Sequence, residues 1–327
     1  MTSSLSDILN EYIPKNRNII IGVSGGPDSV YLLLQCLKNT NKIIVAHVNH
    51  GTRNGGSNKD AIFTEKLAKK LSLTFELKEI SPKKGGDNEE YFRNQRYEFF
   101  ETMRKKHKAA WILTAHHQSD NIETVIFNIT KGSFLDGISG IEIADQKRHL
   151  LRPLLFISKK EILDHLKKNK IPFKHDPTNK NTIYSRNRIR NKVIPELKII
   201  NSGLEQTISQ NILSYRELRD YINQTTTNWL DKNAQNNTIN LQKFLKLHTI
   251  IQKSVLFQLY KNYYGEGKKL NQKHLEQIMK VLHQKTRGRK KEFGKDLFIC
   301  VEKRSNMLTL ILHKKNATKS KNEKTTK

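Results

Sequence analysis

The chain has 327 residues, 36% of them apolar, a mean hydropathy of −0.67, and 59 Lys plus Arg against 31 Asp plus Glu, for a formal net charge of +28. No stretch approaches the roughly 18–20 consecutive apolar residues that a membrane helix needs, and Met1–Pro14 lacks the basic-then-apolar pattern of a secretory signal. Cys36 and Cys300 are the only cysteines, which excludes a disulfide scaffold and any four-cysteine metal or cluster site; the expectation is a cytoplasmic, strongly basic protein.

In chain order, Asn18–Val23 is a short apolar run rich in β-branched residues. It ends in Ser24-Gly25-Gly26-Pro27-Asp28-Ser29 and is followed by a helical stretch, Val30–Lys38. A second strand, Lys42–Val48, leads into the Gly-rich segment Gly51–Gly56. Ala61–Leu71 has helical spacing, Leu73–Ile80 alternates as a strand does, and Asn88–Lys106 is a charged helix. Ala110–Ala115 is another buried strand and Asp120–Thr130 another helix. Apolar strands alternating with amphipathic helices predict a parallel sheet covered on both faces. Such sheets bind ligands where loops leave the C-terminal ends of the strands, and the loops after the first, second and fourth strands share that rim.

From Pro195 the pattern turns helical, in Leu204–Tyr221 and Leu241–Tyr264. Asp296–Val301 and Met307–Leu312 follow as a hairpin. The predicted organisation is a parallel α/β domain over 1–195, a smaller, mainly helical basic domain over 196–313, and a disordered basic tail over 314–327. Charge follows the same division. Residues 1–150 hold 21 basic and 17 acidic side chains, whereas residues 151–327 hold 38 and 14. A basic excess confined to one part of the chain points to a polyanion, and to nucleic acid before a membrane surface.

The hexapeptide at 24–29 carries the most chemistry. Two glycines let the backbone close on an anion, and the start of the following helix adds free N–H groups and a partial positive charge. No Lys precedes the Ser, so this is not a Walker loop. Asp28 instead places a carboxylate beside the phosphates, a position suited to Mg²⁺. The competing reading is an ordinary strand-to-helix turn capped by Ser or Asp.

Ser-Gly-Gly-x-Asp-Ser resembles the pyrophosphate loop of the N-type ATP pyrophosphatases (the PP-loop superfamily), whose members adenylate an oxygen and let a nucleophile displace AMP. Further segments are similar to one branch, the tRNA(Ile)-lysidine synthetases. They are Ala46–Arg53, Arg93–Phe99, Thr114–Thr124, Lys131–Gly140, Leu151–Leu155, and Asp176–Asn179 through Ser185–Arg190, in the same order over about residues 18–195. Ser119 stands where the branch more often has a second acid. The resemblance implies a Rossmann-like PP-loop domain that uses ATP and Mg²⁺. It also implies a carbon–nitrogen ligase that joins free L-lysine to C2 of the wobble cytidine of a tRNA(Ile) with a CAU anticodon. Rival readings are a tRNA thiolase on the same fold, disfavoured by the two distant cysteines, and a non-catalytic tRNA-binding protein. The oligomeric state stays open, with a homodimer as one option.

The loop residues Ser24, Gly25, Gly26, Pro27, Asp28 and Ser29, with Ala46, form the expected nucleotide site, Asp28 being the metal ligand. Asp28, Arg96, His116 and Asp120 form the expected catalytic set. A carboxylate at Asp120 suits a lysine ammonium or its proton, and Arg96 suits phosphate charge. For His116 the alternative is a structural hydrogen bond; for Arg93 and Arg96 it is pairing with neighbouring glutamates. Arg53, Arg93, Glu123, Arg186, Arg188 and Arg190 are the expected substrate-binding residues, the last three as a phosphate clamp or, for one of them, a domain tie. His116 and His117 end the fourth strand, and a zinc reading of that pair would need His47 and His50 as third and fourth ligands.

Overall fold

The computed structural model describes residues 4–40, 42–51, 56–81, 88–174, 185–235, 238–264, 272–283, 290–293, 297–304 and 307–314. Two compact units emerge: Met1–Phe127 with Gly140–Ser209, and Asn128–Ser139 with Gln210–Lys327.

The first unit opens with α1 (Leu5–Tyr12), then β1 (Ile19–Gly22), α2 (Pro27–Leu37), β2 (Ile43–Asn49), α3 (Gly56–Lys70) and β3 (Thr74–Glu79). Next come α4 (Asn88–Lys106), β4 (Trp111–Leu113) and α5 (Gln118–Thr130), whose last residues pass into the second unit together with α6 (Leu135–Ile138). The chain returns through β5 (Ala144–Asp145), β6 (Leu150–Leu151), α7 (Lys159–Lys168), α8 (Ser185–Arg188), a π-helical turn (Ile189–Val193) and α9 (Ile194–Ile200). The sheet runs β3-β2-β1-β4-β6-β5, parallel except for β5. Chain order reverses on either side of β1, so the crevice between β1 and β4 is the switch point at which such sheets bind ligands.

The inner strands are apolar because both faces are covered. Ile19, Ile21, Val45 and Leu113 pack with Val30, Leu33, Ile162 and Leu166 of α2 and α7, while Ile20, Ile44 and Ile112 pack with Phe99, Phe100 and Met103 of α4. β3 lies at the edge and is half exposed. The π-helical turn has a local cause. Pro195, in the first turn of α9, lacks an N–H and crowds the carbonyl four residues earlier. The ladder widens there, and Ile194 N–H donates to the Ile189 carbonyl instead.

The second unit holds most of α10 (Leu204–Asn233), then β7 (Ala234–Gln235), β8 (Thr238–Asn240), α11 (Leu241–Leu245), α12 (Thr249–Tyr264), α13 (Gln272–His283), β9 (Lys290–Phe293), β10 (Leu297–Arg304) and β11 (Met307–Lys314). Its antiparallel sheet runs β7-β8-β11-β10-β9. Its core gathers Ile222, Leu230, Phe244, Val255, Leu259 and Leu275. The expected single helix over 241–264 is two helices. The Gln252 side chain, 2% exposed, donates to the carbonyls of Phe244, Leu245 and Leu247 at 3.0–3.2 Å, satisfying the end of α11 and breaking the run. The hairpin forms as expected, with Arg304 opposite Met307. Among the described residues no helix is long and apolar enough to cross a membrane.

Candidate active site

The loop after β1 is held by its own side chains. Ser29 Oγ donates to the Gly26 carbonyl at 2.9 Å and accepts from Ser24 N–H at 3.2 Å, and Ser24 Oγ accepts from Gly26 N–H at 3.3 Å. Gly25 has φ +87°, and a Cβ there would lie 3.2 Å from Thr64 Oγ1, so this position needs glycine on both conformational and steric grounds. Gly26 caps α2 and Pro27 opens it, with no side chain bonded to the first-turn amides. These amides and the helix dipole face the C-terminal rim of the sheet, which is the physical requirement for an anion cradle.

Two cavities adjoin at this rim within the first unit. The first, of about 420 Å³, is lined by Ser24, Gly26, Asp28, Ser29, Gly22 and Val48, among others, with the fully buried Ala46 at its floor. The second, of about 500 Å³, is lined by Arg93, Glu123, Arg152, Arg186, Asn187 and Arg190, among others. Arg96, His116 and Asp120 line both. Arg188 is exposed and lines neither, and Gly25 and Pro27 shape the loop without lining the cavity. Arg53 and Asp176, with the segment from 52 to 55, lie outside the described residues, as does most of the basic cluster 285–291 and the tail beyond Lys314.

The shared wall is electrostatically ordered. His116 Nδ1 and Thr114 Oγ1 share a hydrogen bond at 2.9 Å. Burial, against the pull of Asp120 and with the push of Arg152, Arg93 and Arg96, takes His116 down to about 4, so it is neutral at ordinary pH. Burial pushes the Asp120 carboxyl up. The neighbouring imidazoles of His117 and His116, the His117 N–H at 3.0 Å and Arg190 outweigh that, and Asp120 sits below the usual carboxylate range. Glu123 lies above its usual range because burial outweighs its partner Arg190. Arg190 forms a fork on Glu123, Nε to Oε1 at 2.6 Å and Nη2 to Oε2 at 2.9 Å, and Nη2 also reaches Asp120 Oδ1 at 3.1 Å. The guanidinium groups of Arg93 and Arg96 stand 5.1 and 5.7 Å from the Tyr97 ring centre, a cation–π arrangement that fans both over the cavities.

Further residues join the site; His117 stands beside His116 in the Thr114–Thr124 segment, whereas Lys159 and Lys174 carried no sequence signal of their own. His117 places Nε2 3.7 Å from Asp28 Oδ2 and 3.6 Å from Asp120 Oδ2, linking the loop to α5. Lys159 donates to both oxygens of Asp28, Oδ2 at 2.6 Å. Lys174 N–H donates to the Gly25 carbonyl at 2.9 Å and its side chain lines the first cavity. The buried Tyr97 hydroxyl has no hydrogen-bond partner. His47 is structural: its Nδ1 lies 2.7 Å from the Val23 carbonyl, which it meets as a donor, and burial lowers its pKa.

A glycine turn at the C-terminal rim of a parallel sheet, sharing a charged wall with a second, arginine-lined cavity, defines an α/β protein of the doubly wound class with its candidate ligand site at the switch point. The PP-loop domain model (ATP_bind_3) matches residues 1–197. The tRNA(Ile)-lysidine synthase of Clostridioides difficile is 32% identical over 314 residues, covering 91% of this chain and 67% of that protein. The enzyme of the same name from Bacillus subtilis is 31% identical, covering 84% of this chain and 62% of that one. In fold, the chain is similar to the U34-tRNA thiolase NcsA of Methanococcus maripaludis, with a TM-score of 0.52, 16% identity, and coverage of 65% of this chain and 77% of that one. The chain belongs to the PP-loop family and, within it, to the tRNA(Ile)-lysidine synthases. It spans about half to two thirds of the length of the curated relatives it matches.

Proposed function

We propose that the chain joins L-lysine to C2 of the wobble cytidine of a CAU-anticodon tRNA(Ile), with ATP as the activating reagent. In the first step the cytidine C2 oxygen attacks the α-phosphate of ATP and pyrophosphate leaves. In the second the ε-amine of lysine attacks C2 and AMP leaves, yielding a base that pairs with the third position of AUA. The observation that carries this reading is the wall of Arg96, His116 and Asp120 common to both cavities. It puts a cation, a neutral imidazole and a carboxylate between the phosphate cradle and the second cavity, where the transferred group must pass.

Ser24, Gly26, Ser29 and the first turn of α2 bind the phosphates. Asp28 fits a divalent cation, because its carboxylate already faces a positive group, the Lys159 ammonium, and Mg²⁺ commonly takes one protein carboxylate with phosphate oxygens. When bound there, such an ion would neutralise charge on the phosphates. Arg96 neutralises the α-phosphate region as charge builds. Asp120, ionised and close to the second cavity, holds the incoming ammonium and takes its proton, since only the free amine is nucleophilic. Arg190 and Glu123 brace Asp120 from behind. Arg93 and Arg186 meet RNA phosphate at the cavity mouth, and the basic second unit adds sequence-independent grip. A sulfur-transfer role gains nothing from Cys36, which is buried with its thiol pushed well up by that burial.

Incubation of the protein with total tRNA, ATP and labelled lysine, followed by nucleoside analysis, tests the reading. Label in a lysine-substituted cytidine is the expected result; label absent from the RNA while ATP is consumed rejects it.

A further inference from the structure

Lys159 opens α7 directly after its N-cap, Ser158. That end is already satisfied by a complete capping box, with Ser158 Oγ accepting from Glu161 N–H at 3.1 Å and Glu161 accepting from Ser158 N–H at 2.9 Å. A cation at a helix N-terminus opposes the helix dipole, so Lys159 does nothing for α7 itself. Its position is set by packing. Ile162 and Leu166 are fully buried against α2, and Tyr31 meets His165 edge-on at 5.1 Å. This brings the ammonium onto both oxygens of Asp28, 131 residues earlier in the chain. The Lys159 side chain is 37% exposed, so solvent screens the pair and little stability is lost when it breaks. A cation thus rests on the one loop carboxylate suited to a metal, beside free first-turn amides that favour an anion, and is held there weakly.

We propose that Lys159 is a positioning residue of the pyrophosphate loop: it holds the Asp28 carboxylate until nucleotide arrives with its divalent cation, then cedes the carboxylate and turns its ammonium to the β- and γ-phosphate oxygens that depart as pyrophosphate. This rests on the loop's binding ATP as set out above. The exchange keeps the charges paired, because the arriving cation replaces the ammonium on Asp28 and the ammonium meets the arriving anion. Lysine suits the task, being a compact point charge on a flexible stem.

The test is calorimetric binding of ATP, and separately of inorganic pyrophosphate, to the full chain across a Mg²⁺ titration, comparing wild type, Lys159→Gln and Lys159→Arg. Loss of one charge-assisted contact predicts binding of both ligands weakened about tenfold in Lys159→Gln. Removing the competitor for Asp28 predicts that the half-saturating Mg²⁺ concentration falls several-fold. Lys159→Arg should keep most of the affinity, and the melting temperature of all three should differ little. A Lys159→Gln protein that binds both ligands as tightly as wild type, with the same Mg²⁺ dependence, overturns the proposal. So does a lowered melting temperature with unchanged binding, the mark of a purely structural pair. Because these readouts need no RNA chemistry, wild type that binds as expected yet forms no lysidine would reject the functional reading and leave this one standing. Normal lysidine formation with an indifferent Lys159→Gln would do the reverse.

Discussion

Arg190→Ala removes the fork on Glu123, whose side chain is 4% exposed, and the additional contact to Asp120. Truncating one partner of a fully buried ion pair costs about 3–5 kcal/mol, and a charge-assisted hydrogen bond contributes about 1.5–3 kcal/mol. Arg190 itself is 36% exposed, so solvent screens part of its charge, and the cost should fall to about 2 kcal/mol. The loss arises mostly from Glu123 being left buried without its cation. Glu123→Gln should therefore be milder, and the Arg190→Ala/Glu123→Gln double variant should recover at least half of the loss. The chain has two tryptophans, Trp111 on β4 of the first unit and Trp229 on α10 of the second. Urea unfolding followed by Trp111 fluorescence in a Trp229→Phe background isolates the first unit. Destabilisation below about 0.5 kcal/mol, or strictly additive variants, would falsify the assignment of Arg190 as the brace of the acidic pair.

Three further outcomes follow from the first unit's loop, sheet and charged wall. Asp28→Asn should lower tRNA-dependent pyrophosphate release at least about a hundredfold, while filter binding of tRNA stays within about twofold of wild type; unchanged release would remove Asp28 from the phosphate chemistry. Gly22→Ala should cost about 1–3 kcal/mol, because its Cβ would stand 2.6 Å from the Phe100 ring, and Phe100→Leu in the same chain should relieve it; a neutral Gly22→Ala in urea titration would contradict this packing. His116 binds a proton at about 4 when folded, against about 6.5 for an imidazole in water. Between those values the unfolded chain takes up a proton that the folded site refuses, so stability falls as pH is lowered from about 6.5 towards 4 and is unaffected above that window. The stability difference between wild type and His116→Asn should shift across that range, and a difference flat from pH 4 to 7 would show that His116 titrates normally.

The inner strands were legible because a two-sided covering demands uninterrupted apolar runs, as in Ile19–Ile21 and Ile43–Val45. The glycine turn after β1 was legible because Gly25 must take a positive φ that few residues tolerate. β5 and β6 were not, since two residues carry no periodicity. The break at 246–248 was hidden because a buried Gln252 side chain, not a Gly or Pro, ends α11. The partners Lys159 and Lys174 were invisible for a related reason. Their roles come from packing α7 and the strand-following loops against the rim, and nothing in the local sequence around Lys159 marks a contact 131 residues away. Arg190 was separable from Arg186 and Arg188 only once Pro195 had widened the turn that carries it.

Lysidine formation in this chain depends on the loop after β1 presenting ATP to an RNA base. It is tested most directly by reacting the protein with a CAU-anticodon tRNA(Ile) transcript and α-labelled ATP with lysine withheld. The predicted result is one pyrophosphate released per RNA modified, with the AMP label retained on the wobble cytidine and discharged when lysine is added. Label that appears only as free AMP or ADP and never on the RNA would contradict it.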